Sequence, residues 1–218
     1  MTRPIYVSVE GIDTSGKTTL ALDLSEHFAA IGHTVGLKPE SPSDSEVEEH
    51  VGNALEHSIF ISQGFVHGPR AAMLYMLYAE CLAYQQVCED VELVVADRGI
   101  DSVAVYQGAA LQSIDSADVG PLLNALEMFY SSIGGRIPDL TILLLISTDE
   151  LNRRFYARHE RGPTEFELSE LVRLQARYQH IASVRPRFVV LGPGIFGPDL
   201  LKAAVKCIEA QFDLRNTR

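Results

Sequence analysis

Short apolar runs alternate with longer segments of helical period along the chain. The run 5–9 is β-branched and bounded by Pro4 and Gly11, which predicts a strand. Leu20, Ala21, Leu24, Phe28 and Ile31 then recur at helical spacing from Thr18, and Gly32 stops them. Residues 34–38 predict a second strand, ended by Pro39, with a Pro- and Ser-rich turn over 39–45. A polar helix over 46–58 and a long helix over 69–88, rich in Met, Leu, Tyr and Ala, follow. Residues 93–96 are apolar on both faces, as in the middle of a parallel sheet. A helix over 118–133, closed by Gly134 and Gly135, leads into a fourth strand at 140–146. Helices over 149–158 and 167–183 flank a break at Gly162-Pro163, before a fifth strand at 188–191 and a last helix at 200–212. Five strands alternating with helices imply a three-layer α/β fold with a five-stranded parallel sheet. In such sheets ligands sit at the carboxyl ends of the strands.

The chain has 218 residues, enough for a single domain over 1–218. Eighteen Lys and Arg against 29 Asp and Glu give a net charge of -11, which argues against nucleic acid or an anionic membrane as partner. It leaves room for a small basic pocket. The longest apolar run is too short to span a bilayer, and the start lacks the pattern of a signal peptide, so a soluble, cytoplasmic protein is expected. Three cysteines give no disulfide framework and are expected to be small buried or semi-buried thiols.

Behind the first strand, Gly11-Ile-Asp-Thr-Ser-Gly16-Lys17-Thr18 matches G-x-x-x-x-G-K-[ST], with a helix after it. This is the P-loop pattern, and it implies the P-loop NTPase fold. Its glycines let backbone N–H groups approach phosphate oxygens, and the helix N-terminus favours an anion. Gly11, Thr14, Ser15, Gly16, Lys17, Thr18 and Thr19 are therefore expected to hold a nucleoside triphosphate. Lys17 reaches the outer phosphates, and the Thr18 hydroxyl is placed to ligate Mg²⁺. The loop alone does not separate a kinase from a GTPase, an ATPase or a motor. Asp97-Arg98 follows the third strand. An acid there suits Mg²⁺ or its water, and the adjacent Arg suits a second phosphate.

With these motifs in order, the chain resembles the thymidylate kinase family over nearly its whole length. The resemblance lies in Val9-Glu10-Gly11-Ile12-Asp13 with Gly16-Lys17-Thr18-Thr19, and in Asp97-Arg98 through Ser102 to Tyr106-Gln107-Gly108. It continues in Pro138-Asp139-Leu140-Thr141, in Arg153, Arg154, Arg158 and Arg161, and in Phe188-Val189-Val190. It implies ATP as phosphoryl donor, Mg²⁺, dTMP as acceptor, a homodimer and a short lid at about 153–166. It also implies roles: Asp13 facing the acceptor sugar hydroxyl, Arg98 on the acceptor phosphate, Asp97 organising Mg²⁺, and Tyr78 stacked on the acceptor base near Tyr106 and Gln107. The lid arginines would be Arg158 and Arg161, and the loop 192–196 would border the adenine.

Three positions depart from the family pattern. Thr14 stands where the family usually has Gly, or Arg in the eukaryotic type, so the lid must supply the catalytic cation. The stretch 37–42 replaces an Arg-Glu-Pro run, and Leu82 stands where an Arg would read the base. Other readings accordingly stay open: another nucleoside monophosphate as acceptor, a deoxynucleoside, or a nucleotide-binding paralogue without kinase activity. For a deoxynucleoside, Glu40 would serve as general base.

Overall fold

The computed structural model describes residues 3–40, 69–111, 120–212 and 214. The expected helix at 46–58, most of the turn before it and the start expected at Asp118 lie outside these residues. The described elements are β1 (Ile5–Gly11), α1 (Lys17–Ala30), β2 (Val35–Lys38), α2 (Pro69–Gln85), β3 (Leu93–Asp97) and α3 (Ile100–Leu111). They continue with α4 (Gly120–Ser132), β4 (Leu140–Leu144), α5 (Thr148–His159), α6 (Glu165–Val184), β5 (Phe188–Leu191) and α7 (Gly197–Gln211). The five strands are all parallel, in the order β2-β3-β1-β4-β5.

Alternate residues of the central strand divide the core. Val7 and Val9 pack with Leu20, Leu24 and Phe28 of α1 and with Ala204, Val205 and Ile208 of α7. Each fully buried side chain of this size contributes about 1.5–3 kcal/mol. A second core joins Leu77 of α2, Val103 and Ala104 of α3, Leu123 and Leu126 of α4, and Leu171, Leu174 and Tyr178 of α6. Helices on both faces of the sheet make the three layers.

On that second face β1 carries Ser8 and Glu10, both wholly buried. Ser8 donates to Thr141 Oγ1 (3.2 Å), Thr141 to Asp101 Oδ2 (3.1 Å), and Arg187 to Asp101 Oδ1 (2.5 Å). Arg187 also pairs with Glu127 of α4 at 2.9 Å. This buried polar chain ties α3, β1, β4, α4 and β5 together. Every charged member has an opposite partner, as burial of charge requires.

Helix α3 has no counterpart in the elements predicted above. Ile100, Val103, Ala104 and Val105 are all buried, so the helix is apolar over too wide an arc to show a clear period. Helix α6 begins before the predicted 167. Thr164 caps it and accepts from the Glu167 N–H, while Glu167 reaches back to the Thr164 N–H, a complete capping box. The three cysteines are free and half-buried, as read. Among the described residues, no helix is long and apolar enough to cross a membrane.

Candidate active site

The P-loop leaves β1 at Gly11 and enters α1 at Lys17. A side chain on Gly11 would come within 2.7 Å of Ser15 Oγ and 2.8 Å of the Leu144 carbonyl, so the turn requires glycine. Gly16 sits at φ 98, left-handed, at the N-cap of α1. Thr14 also adopts φ 64, an unfavourable region for a β-branched residue, and its buried hydroxyl has no partner. Lys17 is buried, and its Nζ donates to the Ile12 carbonyl at 2.9 Å. Burial, and next the charge of Arg98, lower the Lys17 ammonium to about 8, against the pull of Asp97, Glu40 and Asp13. Thr18 donates its hydroxyl to Asp97 Oδ2 at 2.5 Å. The other oxygen, Asp97 Oδ1, is buried without a partner. The hydroxyl and the carboxylate are hard oxygen donors, so the pair fits Mg²⁺. Thr19 is exposed at the start of α1, outside this cluster.

Arg98 follows β3 in a left-handed conformation, φ 69. Its N–H donates to the Val9 carbonyl (3.0 Å) and its Nη1 to the Gly11 carbonyl (3.4 Å) and Ser102 Oγ (3.3 Å). Its Nε lies 2.6 Å from Glu40 Oε1, and the guanidinium stands 4.9 Å over the Tyr106 ring. Burial opposes its charge, but Tyr106, Glu40, Tyr178 and Glu10 together hold its pKa above the ordinary value. The Tyr106 hydroxyl is buried without a partner. Gln107 is buried on the same helix.

Glu10 supports this arrangement from below. Its carboxylate accepts from the Gly99 N–H (2.8 Å), Ser102 Oγ (2.5 Å) and the Tyr178 hydroxyl (3.0 Å). Burial, then the charge of Asp101, push the Glu10 carboxyl up, and burial pushes Asp101 up too. Asp101 lies inside the first turn of α3, buried against Thr141 and Arg187.

Four arginines follow β4, and they do different things. Arg153 pairs with Glu150 and stays exposed. Arg154 donates to the Thr14 (3.1 Å) and Ser15 (2.9 Å) carbonyls of the P-loop, pairs with Glu150, and stands 4.9 Å from the Phe196 ring. Phe196 brings the loop 192–196 against this arginine. Arg158, one turn on, pairs with Asp13 at 2.7 Å. Arg161 lies past the end of α5 and grips Glu167 through both nitrogens, at 2.6 and 2.7 Å. This grip and the Thr164 N–H hold the Glu167 carboxyl down at about 2.

The structure thus gathers Gly11, Asp13, Thr14, Ser15, Gly16, Lys17, Thr18, Asp97, Arg98, Tyr106 and Arg158. It does not bring Arg161 or Tyr78 to them. Tyr78 is 54% exposed, beside Leu74 and Tyr75 on the outer side of α2, while Leu77 faces Ile12 and Val103. Sequence reasoning did not assign Arg154 to the loop or pair Glu40 with Arg98. The first had a signal: Arg154 and Arg158 are four apart and share a helix face.

A family model described as thymidylate kinase matches residues 9–192. A probable thymidylate kinase of Methanospirillum hungatei is 30% identical, over 98% of each chain. A thymidylate kinase of Caulobacter vibrioides is 29% identical, over 97% of this chain and 98% of its own. In fold, the chain resembles the crystal structure of thymidylate kinase from Ehrlichia chaffeensis, with a TM-score of 0.65 at 19% identity, covering 95% of this chain and 99% of that one.

Proposed function

The chain belongs to the thymidylate kinase family, whose members move a phosphoryl group from ATP to dTMP, and we propose that its residues divide that work as follows. The enzyme is an ATP-dependent phosphotransferase acting on a nucleotide, converting dTMP to dTDP. The P-loop N–H groups and Lys17 hold the β- and γ-phosphates of ATP. Arg98 holds the acceptor phosphate. The observation that carries this reading is the contact of Arg98 Nη1 with the Gly11 carbonyl, which sets the acceptor cation against the donor loop. An oxygen of the dTMP phosphate then forms the new P–O bond while the bond to ADP breaks. That oxygen is already an anion, so no general base is required.

Thr18 and Asp97 would hold Mg²⁺, which when bound neutralises charge on the β- and γ-phosphates. Asp13 is released from Arg158 to meet the acceptor sugar, which frees Arg158 for the transferring group. Arg154, already on the loop, is the second lid cation. Dispersed negative charge in phosphoryl transfer is stabilised by several positioned cations. The segment 153–166 forms the lid. The exposed Leu74, Tyr75 and Tyr78 of α2 support a homodimer packed through this helix, checked by light scattering at micromolar concentration. The nucleotide substrate supports a cytoplasmic placement.

The test is ADP release with Mg-ATP against a panel of nucleoside monophosphates and free nucleosides. Turnover with dTMP is expected, and Glu40→Gln should retain it. Turnover with a free nucleoside, lost in Glu40→Gln with ATP binding intact, would replace the monophosphate reading.

A further inference from the structure

We propose that Lys38, held by Glu80, is a positioning residue for Arg98 and sets the geometry of the acceptor-phosphate site. The proposal rests on the reading of Arg98 as the acceptor-phosphate ligand. Lys38 ends β2 and is wholly buried, far from the usual place of a lysine at a strand end. Its ammonium has three donors, and they are directed to three places. One goes to the Pro39 carbonyl at 3.2 Å, just beyond β2. One goes to the Glu80 carboxylate of α2, at 3.2 Å to Oε1 and 3.1 Å to Oε2. One goes to the Arg98 carbonyl at 3.3 Å, between β3 and α3.

The last contact gives the other two their purpose. Arg98 sits at φ 69, a conformation that persists only when its surroundings impose it. The Arg98 N–H is tied to Val9 on β1 and its carbonyl to Lys38 on β2. The residue is therefore pinned on both sides, from neighbours of β3 on either edge of that strand. A buried ammonium is stable only with an opposing carboxylate, which Glu80 supplies from 42 residues away in sequence. The pair thereby also links α2 to the backbone of Arg98. An error of about 1 Å in a substrate-holding group costs about a hundredfold.

Lys38→Met alone strands a buried carboxylate at Glu80 and is a poor test of position. Lys38→Met with Glu80→Leu removes both charges together and keeps the core apolar. The double variant should bind ATP within about twofold of the parent while its KM for dTMP rises about ten- to a hundredfold. Arg98→Ala should raise the dTMP KM by itself and add little in the double-variant background, because both changes disable one group. Where the double variant does not fold, Lys38→Arg keeps the charge pair but replaces the compact ammonium with a planar fork. It should still raise the dTMP KM and spare ATP binding. An unchanged dTMP KM in whichever of these variants folds, with Arg98→Ala impaired, would overturn the role of Lys38 alone. An unchanged dTMP KM in Arg98→Ala would overturn the Arg98 reading and this inference with it.

Discussion

In the proposed assignment, the donor and acceptor halves of the site are built in opposite ways. The phosphate cradle comes from eight consecutive residues, Gly11 to Thr18, and works largely through its own backbone. The acceptor half gathers Glu40, Arg98 and Tyr106 from separate segments and takes Asp13 from the loop itself, and its charged side chains already hold partners. Arg98 is on Glu40 and Asp13 is on Arg158. Substrate must exchange these partners, whereas in the donor loop the Ser15 N–H and Lys17 Nζ rest on the loop's own Ile12 carbonyl. Affinity for the acceptor is then a difference between two charged contacts, so it is the half more exposed to substitution at a distance.

The largest expected effect separates the halves outright. Lys17→Ala should lower kcat by about a thousandfold, the scale of removing a key charge-stabilising donor, with the fold intact by circular dichroism. A loss confined to the KM for dTMP would show that the halves are not distinct. Next, Arg154→Ala should lower kcat about a hundredfold, and Arg161→Ala by no more than about threefold, because its partner is Glu167 at a half-exposed surface. Equal losses in steady-state assays would return Arg161 to the reacting group.

The third effect is on pH. Lys17 is lowered to about 8 by burial first and by Arg98 second, and phosphate binding favours its charged form. ATP affinity in the free enzyme should therefore fall as pH rises through about 8, by up to about tenfold per unit, in calorimetric titrations. Arg98→Ala should move that midpoint upward, since a repelling charge is lost. For stability the sign is opposite. Above about pH 8 and below its ordinary value of 10.5, Lys17 binds more protons unfolded than folded, so its contribution favours folding more as pH rises. The smallest effect is on Thr14. Thr14→Gly relieves a left-handed β-branched residue with an unpaired hydroxyl, and should add about 1 kcal/mol, or about 2–4 °C in Tm by calorimetry.

The same contrast governs what could be read from the chain. Strands β3 and β4 stand out because both faces are buried, and the loop stands out because its residues are contiguous. Ser8 and Glu10 already hint that one face of β1 lies under a polar network, but their partners Thr141, Ser102 and Tyr178 are scattered through the chain. Arg98 and Glu40 are 58 apart, and no local pattern announces their pairing. Arg158 and Arg161 come from the family resemblance, whereas the helical period groups Arg154 with Arg158, and these two reach the P-loop. Tyr78 rests on the family resemblance alone; α2 buries Leu77 and leaves the Tyr78 ring half-exposed.

The position of β1 carries a last consequence. It lies between β3 and β4, bonded to a neighbour on each side, while β2 and β5 form the rims of the sheet. Amide hydrogens at the rims can exchange with solvent through local fraying, but those of β1 are released only when the sheet itself opens. The P-loop is the direct continuation of β1, and the Arg98 N–H is fastened to Val9 within it. The proposed donor and acceptor contacts therefore share one spine, expected to exchange slowly, and the rims can fray around a fixed origin.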